Sequence, residues 1–245
     1  MLLGALIDAG ADTTPIQKVF EIIPSHYSKC RSIRLDVHEV RKHGFRASQV
    51  TFELTENPGE VPASQIHEAA AQISIESKIS PEAQSLVMGS VERLLRVESK
   101  IHGVESSLTH MHEVGSTDTL ADIFGVAVAC ELLGVFEGEA CCTPVAVGGG
   151  IVSFSHGTVS NPAPATLEIL KESGMSMIAG PEDFELSTPT GVSILASLAK
   201  KGTTYPPLMV PEKIGYGAGQ RELKTVPNVV RVVVGRTTTP GIRIG

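Results

Sequence analysis

Apolar residues recur every three or four positions in 2–8 (LLGALID) and 16–23 (IQKVFEII). That spacing predicts two short helices joined across Gly10–Thr14. Over 32–55 the period drops to two, with Ile33, Leu35 and Val37 answered by Val50, Phe52 and Leu54. His43-Gly44 lies between the runs, so an antiparallel hairpin is expected, ended by Asn57-Pro58-Gly59. Helical spacing returns over 64–76 and 81–101. Ser80 is placed to cap the second of these, with Pro81 in its first position and Gly103 as its stop. After a loop over 103–115, residues 117–133 form the most apolar helix of the chain, with Gly125 and Ala129 making one face small.

Two buried strands are expected within 139–154, around Gly148-Gly149-Gly150. A helix over 162–173 opens at Asn161-Pro162, and another spans 188–199. Strands follow at 208–214 and 226–234. The last is a β-branched run of the kind covered on both faces. Residues from Thr237 read as a frayed tail. Neither an internal repeat nor a long linker interrupts the chain. The fold class is α+β, with mixed α/β layers: a mixed sheet, an antiparallel hairpin and several packed helices.

Composition narrows the function classes. The 245 residues are 42% hydrophobic and 19% charged, enough for a core in one large domain or two small ones. A net charge of −7, 4% aromatics and no Trp argue against nucleic acid as a partner. No apolar run reaches membrane-span length, and no secretory signal leads the sequence. Cys30, Cys130, Cys141 and Cys142 lack CxxC spacing, so reduced thiols in a cytoplasmic protein are expected. A soft-metal or redox role for the adjacent Cys141 and Cys142 is the alternative. No GxGxxG follows a strand, and GYGAG at 215–219 lacks the P-loop Lys, which argues against standard nucleotide-binding loops.

Three polar constellations carry chemistry. The first is THMHEVGSTD, Thr109–Asp118, followed by Asp122. His110 and His112 point to one side of an extended segment, and Asp118 and Asp122 share a helix face. Imidazoles with carboxylates suit nickel or zinc. The bland alternatives are a helix-dipole role for Asp118 and a surface pair for His112-Glu113. Asp122 resists that, because its neighbours Leu120, Ile123 and Phe124 are apolar and a buried carboxylate needs a partner. The second constellation is SHGTVSNPAPAT, with His156 at a strand end before a helix N-terminus that can receive an anion. The third is FELSTPTG, with Glu185, Thr188 and Thr190 at another helix start. Taken singly, the second reads as a loop histidine beside a proline-started helix and the third as an ordinary capped helix.

Together and in this order, HMHEVGSTDTLADIFG, SHGTVSNPAPATLEIL, FELSTPTGVSILASLA, GYGAGQREL and PNVVRVVVG resemble the LarC family of nickel-pincer cofactor biosynthesis proteins. The likeness covers nearly the whole chain. It implies insertion of Ni(II) into pyridinium-3,5-bisthiocarboxylate mononucleotide, forming one nickel–carbon and two nickel–sulfur bonds. The product is the cofactor of lactate racemase and related enzymes. His110, His112, Glu113, Asp118 and Asp122 fall on the first family motif, and His156 and Glu185 on the next two. Chemistry then assigns the expected roles: the imidazoles and carboxylates hold or relay Ni(II), His156 or Glu185 is the base, and the helix starts with Thr166, Thr188 and Thr190 hold the cofactor being built. The resemblance further implies a lyase-type nickel chelatase dependent on CTP and a divalent ion, with CTP bound by a C-terminal domain.

On this reading residues 1–236 are the family's N-terminal domain, expected to lack its first strand, and the C-terminal domain is absent. A separate C-terminal chain would then be a partner, and a homo-oligomer is expected. The competing readings are a non-catalytic nickel carrier, or metallochaperone, and a metal-dependent hydrolase built on the same His and Asp cluster.

Overall fold

The computed structural model describes residues 1–103, 110–111, 115–154, 157–199, 201–203 and 207–237, with the backbone alone at 110, 111, 154 and 201. The chain opens with α1 (Leu2–Asp8) and α2 (Thr13–His26), the latter capped by Asp12, whose carboxylate accepts from Thr14 N at 2.9 Å. The hairpin β1 (Cys30–Lys42) and β2 (Phe45–Glu56) follows. Then come β3 (Val61–Pro62), α3 (Ala63–Glu76), α4 (Pro81–His102), β4 (His110–Met111) and α5 (Thr117–Leu132). Short strands β5 (Cys141–Cys142), β6 (Val145–Ala146), β7 (Ile151–Phe154) and β8 (Gly157–Ser160) lead to α6 (Pro164–Ser173). The chain ends through β9 (Met177–Ile178), α7 (Pro189–Leu198), β10 (Lys201–Gly202), β11 (Met209–Ala218) and β12 (Val229–Thr237).

The hairpin obeys the two-residue period. Lys42 pairs with Phe45, so His43 and Gly44 alone make the turn, with φ of 47° and 84°. Both values lie in the left-handed region that two-residue hairpin turns require. The main sheet runs β1-β2-β11-β12, antiparallel at both outer pairs and parallel between β2 and β11, where Gly217 faces Ser48. Helix α1 lies directly on β11. A methyl group on Gly215 would sit 2.0 Å from the Ala5 carbonyl oxygen, and one on Gly217 1.9 Å from that of Met1. Only glycine admits a helix backbone that close.

Asp8 fastens the same junction. Its buried carboxylate accepts from Tyr216 N at 2.8 Å and Ser48 Oγ at 3.3 Å, and pairs with Arg46 at 2.7 Å. Phe52 of β2 meets Phe20 of α2 edge to face, 5.7 Å between ring centres.

Helix α5 is the centre of the core. It contacts α1, α2, α4 and α7, with Ala121, Ile123, Phe124 and Ala127 fully buried. Its small face packs within the fold: a methyl on Gly125 would lie 2.6 Å from Leu3 Cδ2 and 3.3 Å from the Phe20 ring.

The α+β expectation holds, with helices layered on a mixed sheet. Three local expectations do not. The valine-rich strand is an edge strand covered on one face: Val232 and Val234 pack on the core, while Val233 remains 39% exposed. Its β-branched content suits the strand conformation itself and did not require two-sided burial. The 139–154 stretch is not two buried strands. Val145 and Val147 are buried, but β7 pairs with β8 as an outlying hairpin, leaving Ile151 69% exposed. Helix α6 starts at Pro164, not Pro162, because the Asn161 backbone is held by Gly150 O.

Candidate functional site

The first constellation is built around the N-terminus of α5. Ser116 occupies the cap position but makes no side-chain cap to the helix. Glu56, from the end of β2, supplies it instead, its carboxylate accepting from Thr117 N at 2.6 Å. Tyr27, fully buried at the end of α2, donates its hydroxyl to Gly115 O at 2.5 Å. Two distant elements thus clamp residues 115–117, the stretch that follows the HMHEV segment. Thr117 Oγ1 is buried beside the Cys30 thiol with no well-directed partner among the described residues.

This environment shifts protonation. Burial drives the Tyr27 phenol far above its usual range, and the charges of Glu56, Cys30 and Asp118 add to the effect. Burial likewise raises the Cys30 thiol, with the Thr117 side chain pulling it back and Glu56 pushing it up.

Asp118 lies in the first turn of α5, exposed, and accepts from Ser116 Oγ. Asp122 follows one turn on, so both carboxylates share a face. Asp122 keeps partial surface exposure as a residue while its carboxyl is enclosed. Burial pushes that carboxyl up to about 6, the Met1 amino group lowers it, and Asp118 raises it. Among the described residues no three His, Cys, Asp or Glu side chains gather as a metal site. Asp118 and Asp122 provide a pair. The backbone of His110 pairs with Pro62 and that of Met111 with Val61, which sets these two residues beside β3. The His110 side chain, His112 and Glu113 lie outside the described residues.

The second and third constellations form one unit. Gly148 bridges Glu185 in antiparallel fashion, and Leu186 N donates to Val147 O at 3.2 Å. Ser187 Oγ donates to Ala146 O at 2.7 Å, and Thr166 Oγ1, fully buried, to Ser187 O at 3.4 Å. The starts of α6 and α7 therefore meet over the glycine run. Gly148 and Gly150 are obligatory: a methyl on Gly148 would lie 1.8 Å from Phe184 O, and one on Gly150 2.2 Å from Asp183 O.

The two helix starts differ. Thr188 caps α7, its Oγ1 accepting from Gly191 N at 3.2 Å, whereas α6 has no side-chain cap. The open N-terminus is the one beside Thr166. Thr190 is half-buried in the first turn of α7, and Glu185 is half-buried and engaged in further interaction. His156 lies outside the described residues. Two open surface grooves, of about 330 and 390 Å³, contain none of these residues.

Sequence reasoning missed Tyr27 and Glu56. No local pattern marks either one, since both act across more than 60 residues. Asn161 stands inside the second constellation, where sequence alone reads it as part of a helix start. Its orphaned carbonyl oxygen becomes visible only in three dimensions.

Comparison with known proteins finds relatives over nearly the whole chain. A protein of Rhodopirellula baltica assigned as a nickel insertion protein is 37% identical over 238 residues, 97% of this chain and 57% of its own length. One from Methanothermobacter thermautotrophicus with the same assignment is 34% identical over 242 residues, 98% of this chain and 56% of its own. The pyridinium-3,5-bisthiocarboxylic acid mononucleotide nickel insertion protein of Desulfitobacterium hafniense is 34% identical over 240 residues, 96% and 55% of the two chains. The chain thus spans a little over half the length of these relatives. No solved structure matches it. The family model described as nickel insertion protein matches residues 1–243, and the chain belongs to that family.

Proposed function

We propose that this chain takes part in inserting Ni(II) into pyridinium-3,5-bisthiocarboxylic acid mononucleotide, the reaction named for the Desulfitobacterium hafniense relative. The observation that carries the reading is the enclosed Asp122 carboxyl, one helical turn from Asp118 at a clamped helix start. A carboxylate is retained at such a place at a cost, and a divalent cation repays it. His110, His112 and Glu113 join Asp118 and Asp122 in holding the incoming nickel. Nickel is here a substrate in transit, so a set of hard and borderline ligands that can release it suits the task better than a closed thiolate cage.

Forming the nickel–carbon bond displaces a ring proton, and His156 or Glu185 accepts it. The two sulfur atoms of the substrate bind the same nickel. The uncapped start of α6, with Thr166 beside it, receives the phosphate. Thr188 and Thr190 line the adjacent start of α7, where Thr188 already occupies one amide. On this reading the reaction belongs to the lyase class and takes place in the cytoplasm. CTP with a divalent ion belongs to a further domain, and the working enzyme is a homo-oligomer. Among the described residues no helix is long and apolar enough to cross a membrane.

The test is nickel binding by calorimetry to the chain and to its Asp118→Asn, Asp122→Asn and His110→Ala/His112→Ala variants. Each is expected to lose at least tenfold in affinity while keeping its fold. Unchanged affinity in all three would refute the metal assignment. Nickel binding by a chain that never yields product, even with the rest of the relatives' length supplied, would make it a carrier.

A further inference from the structure

Asn161 links β8 to α6 and lies against the glycine run. Its backbone N–H donates to Gly150 O at 2.9 Å and its Nδ2 to Val147 O at 2.9 Å. Its Oδ1 is buried and has no hydrogen-bond partner among the described residues. The amide cannot be turned round to mend this, because that would set oxygen against the Val147 carbonyl oxygen. The wall behind it is equally fixed, since a methyl on Gly148 would come within 2.9 Å of Asn161 Nδ2. The protein therefore holds a fixed acceptor out of water with no donor on it among the described residues, next to the strand segment that carries Glu185. Such a group costs free energy until a donor reaches it.

The identity of the donor rests on the proposed substrate. Its thiocarboxylates and phosphate are anionic acceptors, which an amide oxygen repels. Its ring nitrogen is quaternary and has no N–H. The hydrogen-bond donors left are the ribose hydroxyls. We infer that Asn161 is a binding residue for the sugar: its Oδ1 accepts from a ribose hydroxyl and so selects a ribonucleotide. The uncapped start of α6, proposed above to receive the phosphate, lies two residues further along the chain.

The test is calorimetric binding of pyridinium-3,5-bisthiocarboxylic acid mononucleotide and its 2′-deoxy, 3′-deoxy and 2′,3′-dideoxy forms to the full chain and to its Asn161→Ala variant. The dideoxy form is expected to bind the unaltered chain about tenfold more weakly or worse, the scale of one buried hydrogen bond. In the variant the ribo and dideoxy forms should bind alike. As a measurement on the unaltered chain, the side-chain amide NMR signals of Asn161 should move with the ribo form and stay with the dideoxy form.

Equal binding of all four forms would overturn the inference while leaving the substrate reading intact, and would assign the acceptor to an ordered water. Sugar discrimination retained in a folded Asn161→Ala chain would overturn it as well. Failure of the ribonucleotide to bind at all would overturn the substrate reading and this inference together.

Discussion

Glu56→Ala tests how the start of α5, the end of the site proposed to hold nickel, is fastened. The Glu56 carboxylate stands in for the missing Ser116 cap through one hydrogen bond of 2.6 Å to Thr117 N, 61 residues away in sequence. A hydrogen bond to a charged partner contributes ~1.5–3 kcal/mol when well buried, and loss of a helix cap costs ~0.5–2 kcal/mol. Glu56 is half-exposed, so the lower part of that range applies. Glu56→Ala should therefore lower stability by about 1–2 kcal/mol, or roughly 2–8 °C in Tm for a chain of this size. Glu56→Gln keeps an acceptor but loses the charge at a helix N-terminus, and should cost about half as much. Urea denaturation gives the free energies and scanning calorimetry the Tm. Because the clamp sets the start of α5, nickel affinity should fall with it, more in Ala than in Gln. A Glu56→Ala chain within about 0.3 kcal/mol of the parent would refute the clamp, since the smallest cap losses exceed that.

Gly217→Ala should destabilise by about 3 kcal/mol or more, because the added methyl meets Met1 and Ala5 backbone atoms rather than flexible side chains. Gly138→Ala, with open space at its Cβ, serves as the near-neutral control in the same denaturation series. Asp8→Ala orphans the Tyr216 N–H and should cost ~1–3 kcal/mol, most of it recovered in Asp8→Asn, since the half-exposed Arg46 contributes little. Equal losses in the two variants would shift the weight to the ion pair. In thiol titration at pH 8, Cys141 should react at once and Cys142 more slowly, because burial raises its thiol. Cys130, pushed up to about 12 by burial, and Cys30 should react only after denaturation. Prompt modification of Cys130 in the native chain would contradict the packing of α5.

Period and punctuation revealed the frame of this fold because they report local physics. The hairpin, with His43-Gly44 as its turn, follows from alternation and a left-handed turn pair. The start of α4 at Ser80-Pro81 follows from capping chemistry. What sequence could not supply is how elements meet. A valine-rich run looks the same at a sheet edge as at its centre, and β12 proved to be an edge. In sequence GYGAG can be compared only with phosphate loops, yet Gly215 and Gly217 serve to admit α1.

The candidate site divides the same way. The i, i+4 spacing put Asp118 and Asp122 on one face, and their apolar neighbours marked Asp122 as enclosed. The clamps from Tyr27 and Glu56 come from other elements and leave no trace near the motif. Likewise the meeting of α6 and α7 through Thr166 and Ser187 is a tertiary fact, and it turned two ordinary helix starts into one surface.

The most direct test of nickel insertion is to supply the chain with Ni(II) and pyridinium-3,5-bisthiocarboxylic acid mononucleotide. CTP, a divalent ion and the remaining part of a relative's length complete the mixture, and the nucleotide is followed by mass spectrometry. Nickel insertion should yield a nickel-bearing nucleotide one ring proton lighter than a simple nickel adduct, lost with Asp118→Asn/Asp122→Asn. Nickel bound to the protein with the nucleotide returned unchanged would contradict it.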